Sequence, residues 1–132
     1  MEHLFVDTSA WFAFANRKDK QHTKVSRLLN AFPGRLLTSN FVFDETVSLC
    51  RYRLGHQAAQ TVGSVLLDPN EVDLIQVTVE DERVAWELFC GRTDQQYSFT
   101  DCTSFALMGR LGLTKALALD SDFSTEGFHT LP

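Results

Sequence analysis

The sequence holds few cysteines. The three present, Cys50, Cys90 and Cys102, are widely spaced and form no C-x-x-C pair. Neither a disulfide framework nor a structural zinc site is expected, and a reducing cytoplasm is the natural compartment. Each cysteine falls in an expected helix among apolar neighbours, which argues against a nucleophilic thiol. No apolar run approaches the roughly 20 residues that cross a bilayer, so no membrane partner is expected. No basic stretch followed by an apolar segment and a small-residue cleavage site opens the chain, so secretion is not indicated. An excess of positive charge is missing too: 12 basic residues stand against 17 acidic ones, a net charge of −5. This speaks mildly against a nucleic-acid partner, but carboxylates that bind divalent cations lose their charge when loaded.

What remains is an ordinary globular composition, 44% hydrophobic and 22% charged, over 132 residues. That length suits one domain, 1–132, with no room for a second core. There is no low-complexity tract, internal repeat or linker. His3 to Val6 reads as a buried strand and Ser9 to Asn16 as a helix, broken by the polar "NRKDKQH". Val25, Leu28, Leu29 and Phe32 recur at helical spacing over 21–32, and "FPG" ends that helix. Arg35 to Thr38 is a strand. Asn40 is the expected cap of a helix over 41–54 that ends at Gly55. A further helix covers 56–67. "VDLIQV", "KALALD" and "FHTL" are strands. Between the first two lie helices over 78–92, with Thr78 as cap, and over 98–112, with Thr100 as the expected cap and Gly112 as terminator. Alternating strands and helices imply an α/β fold, a three-layer α/β/α sandwich around a mainly parallel sheet.

In such sheets, sites form outside the carboxyl ends of the strands. Asp7 ends the first strand and Asp120 the "LALD" strand. If these strands are neighbours, both carboxylates face one crevice. Glu45 shares a helical face with Val42, Thr46 and Leu49, whereas Asp44 points elsewhere. A carboxylate on a partly apolar stripe is costly unless paired or metal-bound. Asp101 lies in the first turn of its helix, at the same edge. Each acid also has a plain structural reading: Asp7 or Asp101 serving a helix start, Glu45 solvated at a helix rim, Asp120 in a "DSD" turn. Together, however, four acids at one edge repel each other unless a cation binds. Oxygen ligands without histidine or cysteine favour Mg2+ or Mn2+. His3, His22, His56 and His129 are scattered and are read as structural or solvated.

The blocks "FVDTSAWFAF", "DETVSLCRYR", "SFTDCTSFALMGRLGLTKALALDSDF" and "GFHTLP" occur in the order of a known family and span the chain. In them the sequence resembles a PIN domain, and specifically the VapC-type ribonuclease toxins of toxin–antitoxin pairs. The resemblance carries an acidic quartet onto Asp7, Glu45, Asp101 and Asp120. Asp122 is a fifth acid whose position varies within the family, and Thr8 and Ser9 match small polar positions after the first aspartate. The resemblance implies hydrolysis of RNA phosphodiesters, an antitoxin protein as partner, and a homodimer. Asp7 and Asp101 are assigned as the main ligands of Mg2+ or Mn2+, with Asp120 completing the cation site. Glu45 is assigned to orient a metal-bound water or complete a second site.

Substrate phosphates need cations. Arg17, Lys18, Lys20 and Lys24 cluster after the first helix, and Arg51 and Arg53 follow Glu45. They form a solvated surface or contact RNA or an antitoxin. Phe12, Phe14, Phe41 and Phe43 are core residues or line a groove for a partner helix. Competing readings fit less well. A haloacid-dehalogenase-type phosphatase needs Asp-x-Asp after the first strand, where this chain has Asp-x-Ser. A response-regulator-like phosphoacceptor wants two acids there and a late lysine, but Lys115 precedes its strand. A stand-alone PIN nuclease in RNA processing, or a non-catalytic PIN-like scaffold that binds RNA or protein, remains as an alternative.

Overall fold

Three consecutive fully buried residues, Leu4, Phe5 and Val6, can exist in a strand only if both faces of the sheet are covered. The computed structural model, which describes residues 2–132, places them in the central strand of five. The elements are β1 (His3–Val6), α1 (Thr8–Ala15), α2 (His22–Ala31), β2 (Arg35–Ser39), α3 (Asn40–Leu54), α4 (His56–Leu67), β3 (Val72–Ile75), α5 (Val79–Gly91), α6 (Phe99–Leu111), β4 (Lys115–Leu117), α7 (Asp122–Thr125) and β5 (His129–Leu131). Every strand pair is parallel, and the order is β3-β2-β1-β4-β5.

This order explains the layers. The chain steps from β1 outward to β2 and β3, then returns to place β4 on the other side of β1. With right-handed crossovers, α1 to α4 cover one face and α5 to α7 the other. The contacts agree: α1 packs on α2, α3 and α4, while α5 packs on α6. On the second face Phe123 of α7 meets Phe105 of α6 at 4.9 Å between ring centroids and Phe5 of β1 at 6.0 Å. The reversal of direction between β1 and β4 makes their carboxyl ends the topological switch point, the edge at which sites form in such sheets.

The structure corrects several local expectations. Helix α3 is capped by Ser39, whose Oγ accepts the Val42 amide at 3.1 Å. Asn40 instead accepts the Val77 amide at 2.7 Å and so ties α3 to the segment after β3. The cap of α6 is Ser98 rather than Thr100. Strand β4 stops at Leu117, so Asp120 sits in the following turn and not on the strand. The four-residue α7 lies where only a turn is expected. Gly112 ends α6 with φ 69°, a left-handed conformation that costs glycine no steric penalty.

Candidate active site

Asp7 is the residue at which β1 becomes α1. Its amide extends the β1–β4 pairing by donating to the Leu117 carbonyl at 3.0 Å, so its position is fixed by the sheet. Its carboxylate is the N-cap of α1: Oδ2 accepts from the Ser9 amide at 3.3 Å and the Ser9 hydroxyl at 2.8 Å. The structural reading of Asp7 therefore holds, but for one oxygen only. Oδ1 is buried and has no hydrogen-bond partner, as has the Thr8 hydroxyl beside it. A cap needs one acceptor; a buried carboxylate oxygen left over from capping is costly unless something else meets it. Ser9 has a second role. Its Oγ also accepts the Leu119 amide at 3.0 Å, which stitches the start of α1 to the segment leaving β4.

That segment carries Asp120, which is exposed. Its Oδ1 accepts the Asp122 amide at 3.1 Å and so opens α7. Burial raises the pKa of Asp7 to about 6; the Ser9 hydroxyl bond opposes the shift and the Asp120 charge adds to it. Asp101 reaches the same place from α6. Burial lifts it to about 7, and the charges that add to the shift are those of Asp7, Asp122 and Asp120. Asp122 is raised as well, by burial and then by Asp120, while a hydrogen bond with Asp101 opposes the shift. Asp101 thus feels the charges of aspartates from two other segments, Asp7 and the pair Asp120 and Asp122.

A second capping box in the same molecule shows that this is not the ordinary state of a helix-start aspartate. Thr78 and Asp81 open α5 with the same reciprocal bonds by which Ser98 and Asp101 open α6. Asp81 is buried as well, but Arg110 donates to it from Nε at 2.8 Å and Nη2 at 2.9 Å, and its pKa is lowered. Asp101 has acids where Asp81 has an arginine. The S-x-x-D spacing of 98–101 is visible in the sequence; the adjacent Thr100 offers a competing cap and hides it.

Glu45 is half-buried on α3, between buried Val42 and Thr46, and Asp44 is exposed, as the helical spacing predicts. No hydrogen bond or ion pair among the described residues joins Glu45 to the aspartates. Nor do any three of the described acidic, histidine or cysteine side chains converge tightly enough to enclose a metal ion. The residues nevertheless fit a hard divalent cation. Mg2+ keeps several waters and takes one or two carboxylates rather than an all-protein cage. Asp7 Oδ1 is a buried, uncommitted oxygen for it, and the neighbouring acids lack any other counter-charge. The adjoining Cys102 thiol is pushed up to about 11 by burial and then by Asp101, so it is no nucleophile at neutral pH. Cys50 is also buried, whereas Cys90 on α5 is exposed rather than among apolar neighbours.

The basic residues Arg17, Lys18, Lys20, Arg51 and Arg53 are all exposed. Arg17 and Arg51 line two separate clefts. Arg17 lines one of about 670 Å³ with Phe14, His22 and Leu54; Arg51 lines another of about 520 Å³ with Phe43, Tyr52 and Leu67. The four phenylalanines do not form one groove: Phe14 and Phe43 line different clefts, and Phe41 packs on Phe99 at 6.2 Å.

Known proteins share this fold. The model of the PIN domain matches residues 4–127. The chain is 41% identical over 125 residues to the 23S rRNA-specific endonuclease VapC20 of Mycobacterium tuberculosis, covering 95% of each chain. The crystal structure of that protein, described as a sarcin–ricin loop cleaving toxin, superposes with a TM-score of 0.90 at 40% identity, again over 95% of both chains. A VapC ribonuclease of Archaeoglobus fulgidus is 31% identical over 124 residues, 90% of this chain and 78% of the relative. A toxin–antitoxin complex from Klebsiella pneumoniae shares the fold at 13% identity, with a TM-score of 0.67 over 98% of this chain and 96% of the other.

Proposed function

The chain belongs to the PIN-domain family, and on that premise we propose that it is a metal-dependent endoribonuclease, the toxin of a toxin–antitoxin pair. The observation that carries the reading is Asp7: a carboxylate fixed at the switch point, capping a helix with one oxygen and leaving the other buried and unbonded. We assign Asp7, Asp101 and Asp120 to hold Mg2+ or Mn2+, directly or through water, with Asp122 beside them. Glu45, on α3, would orient a metal-bound water or complete a second metal site. When bound, the cation lowers the pKa of a coordinated water and offsets charge growing on the phosphate oxygens.

The residues of the chain do the rest. Ser9 holds Asp7 Oδ2 and leaves Oδ1 free of any protein partner. The Ser98 cap fixes Asp101 in the first turn of α6. Asp120 closes the turn that carries Asp122. With pKa values of about 6 and 7, Asp7 and Asp101 are largely ionised only at neutral pH and above, unless a cation draws the protons off earlier. The exposed cations on α3 and after α1 supply phosphate contacts or meet the antitoxin's acidic residues.

The named activity of the relative at 41% identity makes an RNA hairpin carrying the sarcin–ricin sequence the first substrate to try. Cleavage that needs Mg2+ or Mn2+ and stops with a chelator is the expected result. No cleavage of that hairpin or of bulk cellular RNA with either metal would refute the reading.

The toxin setting carries two further proposals. One is a small antitoxin that covers the site. The other is a homodimer, supported by an apolar patch on α5, where Trp86 (58% exposed) and Phe89 (43%) stack at 5.7 Å. A single core cluster running through all layers supports reading residues 1–132 as one domain. None of the described helices is long and apolar enough to cross a membrane; we place the protein in the cytoplasm, with its RNA substrate.

A further inference from the structure

Two acid-bearing segments approach each other without any cation between them. The first is the start of α6 with Asp101. The second is the turn from Asp120 into α7 with Asp122. The second segment has little secondary structure of its own to fix its position, because α7 is only four residues long.

One polar contact bridges the two segments from outside the acidic cluster. Glu126 closes α7, its amide donating to the Asp122 carbonyl at 3.0 Å. Its carboxylate, only 14% exposed, accepts from Arg92 Nε at 3.1 Å and Nη2 at 2.8 Å. The Tyr97 hydroxyl donates to the same carboxylate at 3.1 Å. Arg92 is the C-cap of α5, and Tyr97 directly precedes the Ser98 cap of α6. Below the polar contact the same segments are joined by rings: Tyr97 on Phe105 at 5.0 Å, and Phe105 on Phe123 of α7 at 4.9 Å.

We propose that Arg92 and Tyr97 are positioning residues for the cation site: through Glu126 they hold the Asp120–Asp122 turn against Asp101. The inference rests on the reading of the aspartates as cation ligands. Neither residue touches the ion. Arg92 presents a planar two-pronged donor that a lysine cannot reproduce. Glu126 is engaged by both donors and is therefore no ligand itself, although it lies four residues from Asp122.

The test is Mn2+ binding to the RNA-free protein, with free ion counted by electron paramagnetic resonance. Melting curves in chelator verify that each variant is folded. Arg92→Met is expected to weaken Mn2+ binding about tenfold or more, as losses of ligand-orienting partners do, and Arg92→Lys to recover only part of it. Tyr97→Phe keeps the ring packing, removes one donor, and should weaken binding by a smaller factor; it carries the test alone if Arg92→Met does not fold. In cleavage, the same variants should need more metal to reach half-maximal rate, yet approach the wild-type rate at saturation. Folded variants that bind Mn2+ within twofold of wild type would overturn the inference and leave the site reading standing. Wild-type protein that bound no Mn2+ would overturn both.

Discussion

Asp7 is a carboxylate 3% exposed whose charge the fold does not want. Its pKa of about 6 lies above the ordinary 3.8, so the folded chain holds the proton more tightly than the unfolded one. Stability from this group is fully present below pH 3.8 and is lost as pH rises through about 6. Asp101, at about 7, extends the same fall upward. For Asp7 the loss is on the order of 3 kcal/mol. Metal-free Asp7→Asn should therefore melt above wild type near pH 8, and the gap should shrink toward pH 4. Thermal melts in chelator at the two pH values check this; a gap that widens on acidification would contradict it.

At the scale of elements, the two capping boxes make a paired experiment. Ser98→Ala and Thr78→Ala each remove one cap and should each cost about 1 kcal/mol by denaturant titration. Only Ser98→Ala should also slow RNA cleavage, because only its helix start carries a site acid. Equal cleavage by both variants would mean that the α6 cap has no bearing on the site. The element boundaries are largely legible in the sequence, because helical periodicity and terminators such as Gly55 and Gly112 are local signals. So is Asp7, since a strand end and a helix start meet within three residues. Asp120 is misread by three residues: "KALALD" alternates like a strand to its end, but the pairing with β1 stops at Leu117, where β1 itself turns into α1. The contact of Arg92 with Glu126, 34 residues apart, has no local signal at all.

For the whole molecule, the strand order is what turns separate acids into a site. Nothing in the sequence states that β4 lies beside β1 rather than beyond β3; only the right-handed crossovers and the demand to bury β1 on both sides select it. Once selected, that order sets the carboxyl end of β1, with Asp7, beside the segment leaving β4 that carries Asp120. It also leaves Trp86, Phe89 and the 84%-exposed Val79 uncovered on α5. If that face joins two copies, wild type sediments at twice the chain mass and Trp86→Glu as a monomer. A wild-type monomer at micromolar concentration would refute the homodimer. The central claim is that the free oxygen of Asp7 serves a cation that hydrolyses RNA. Its most direct test is the single-turnover cleavage rate of a sarcin–ricin hairpin with saturating Mg2+ or Mn2+, wild type against folded Asp7→Asn. The account predicts a loss on the order of a hundredfold or more; equal rates for the two proteins would contradict it.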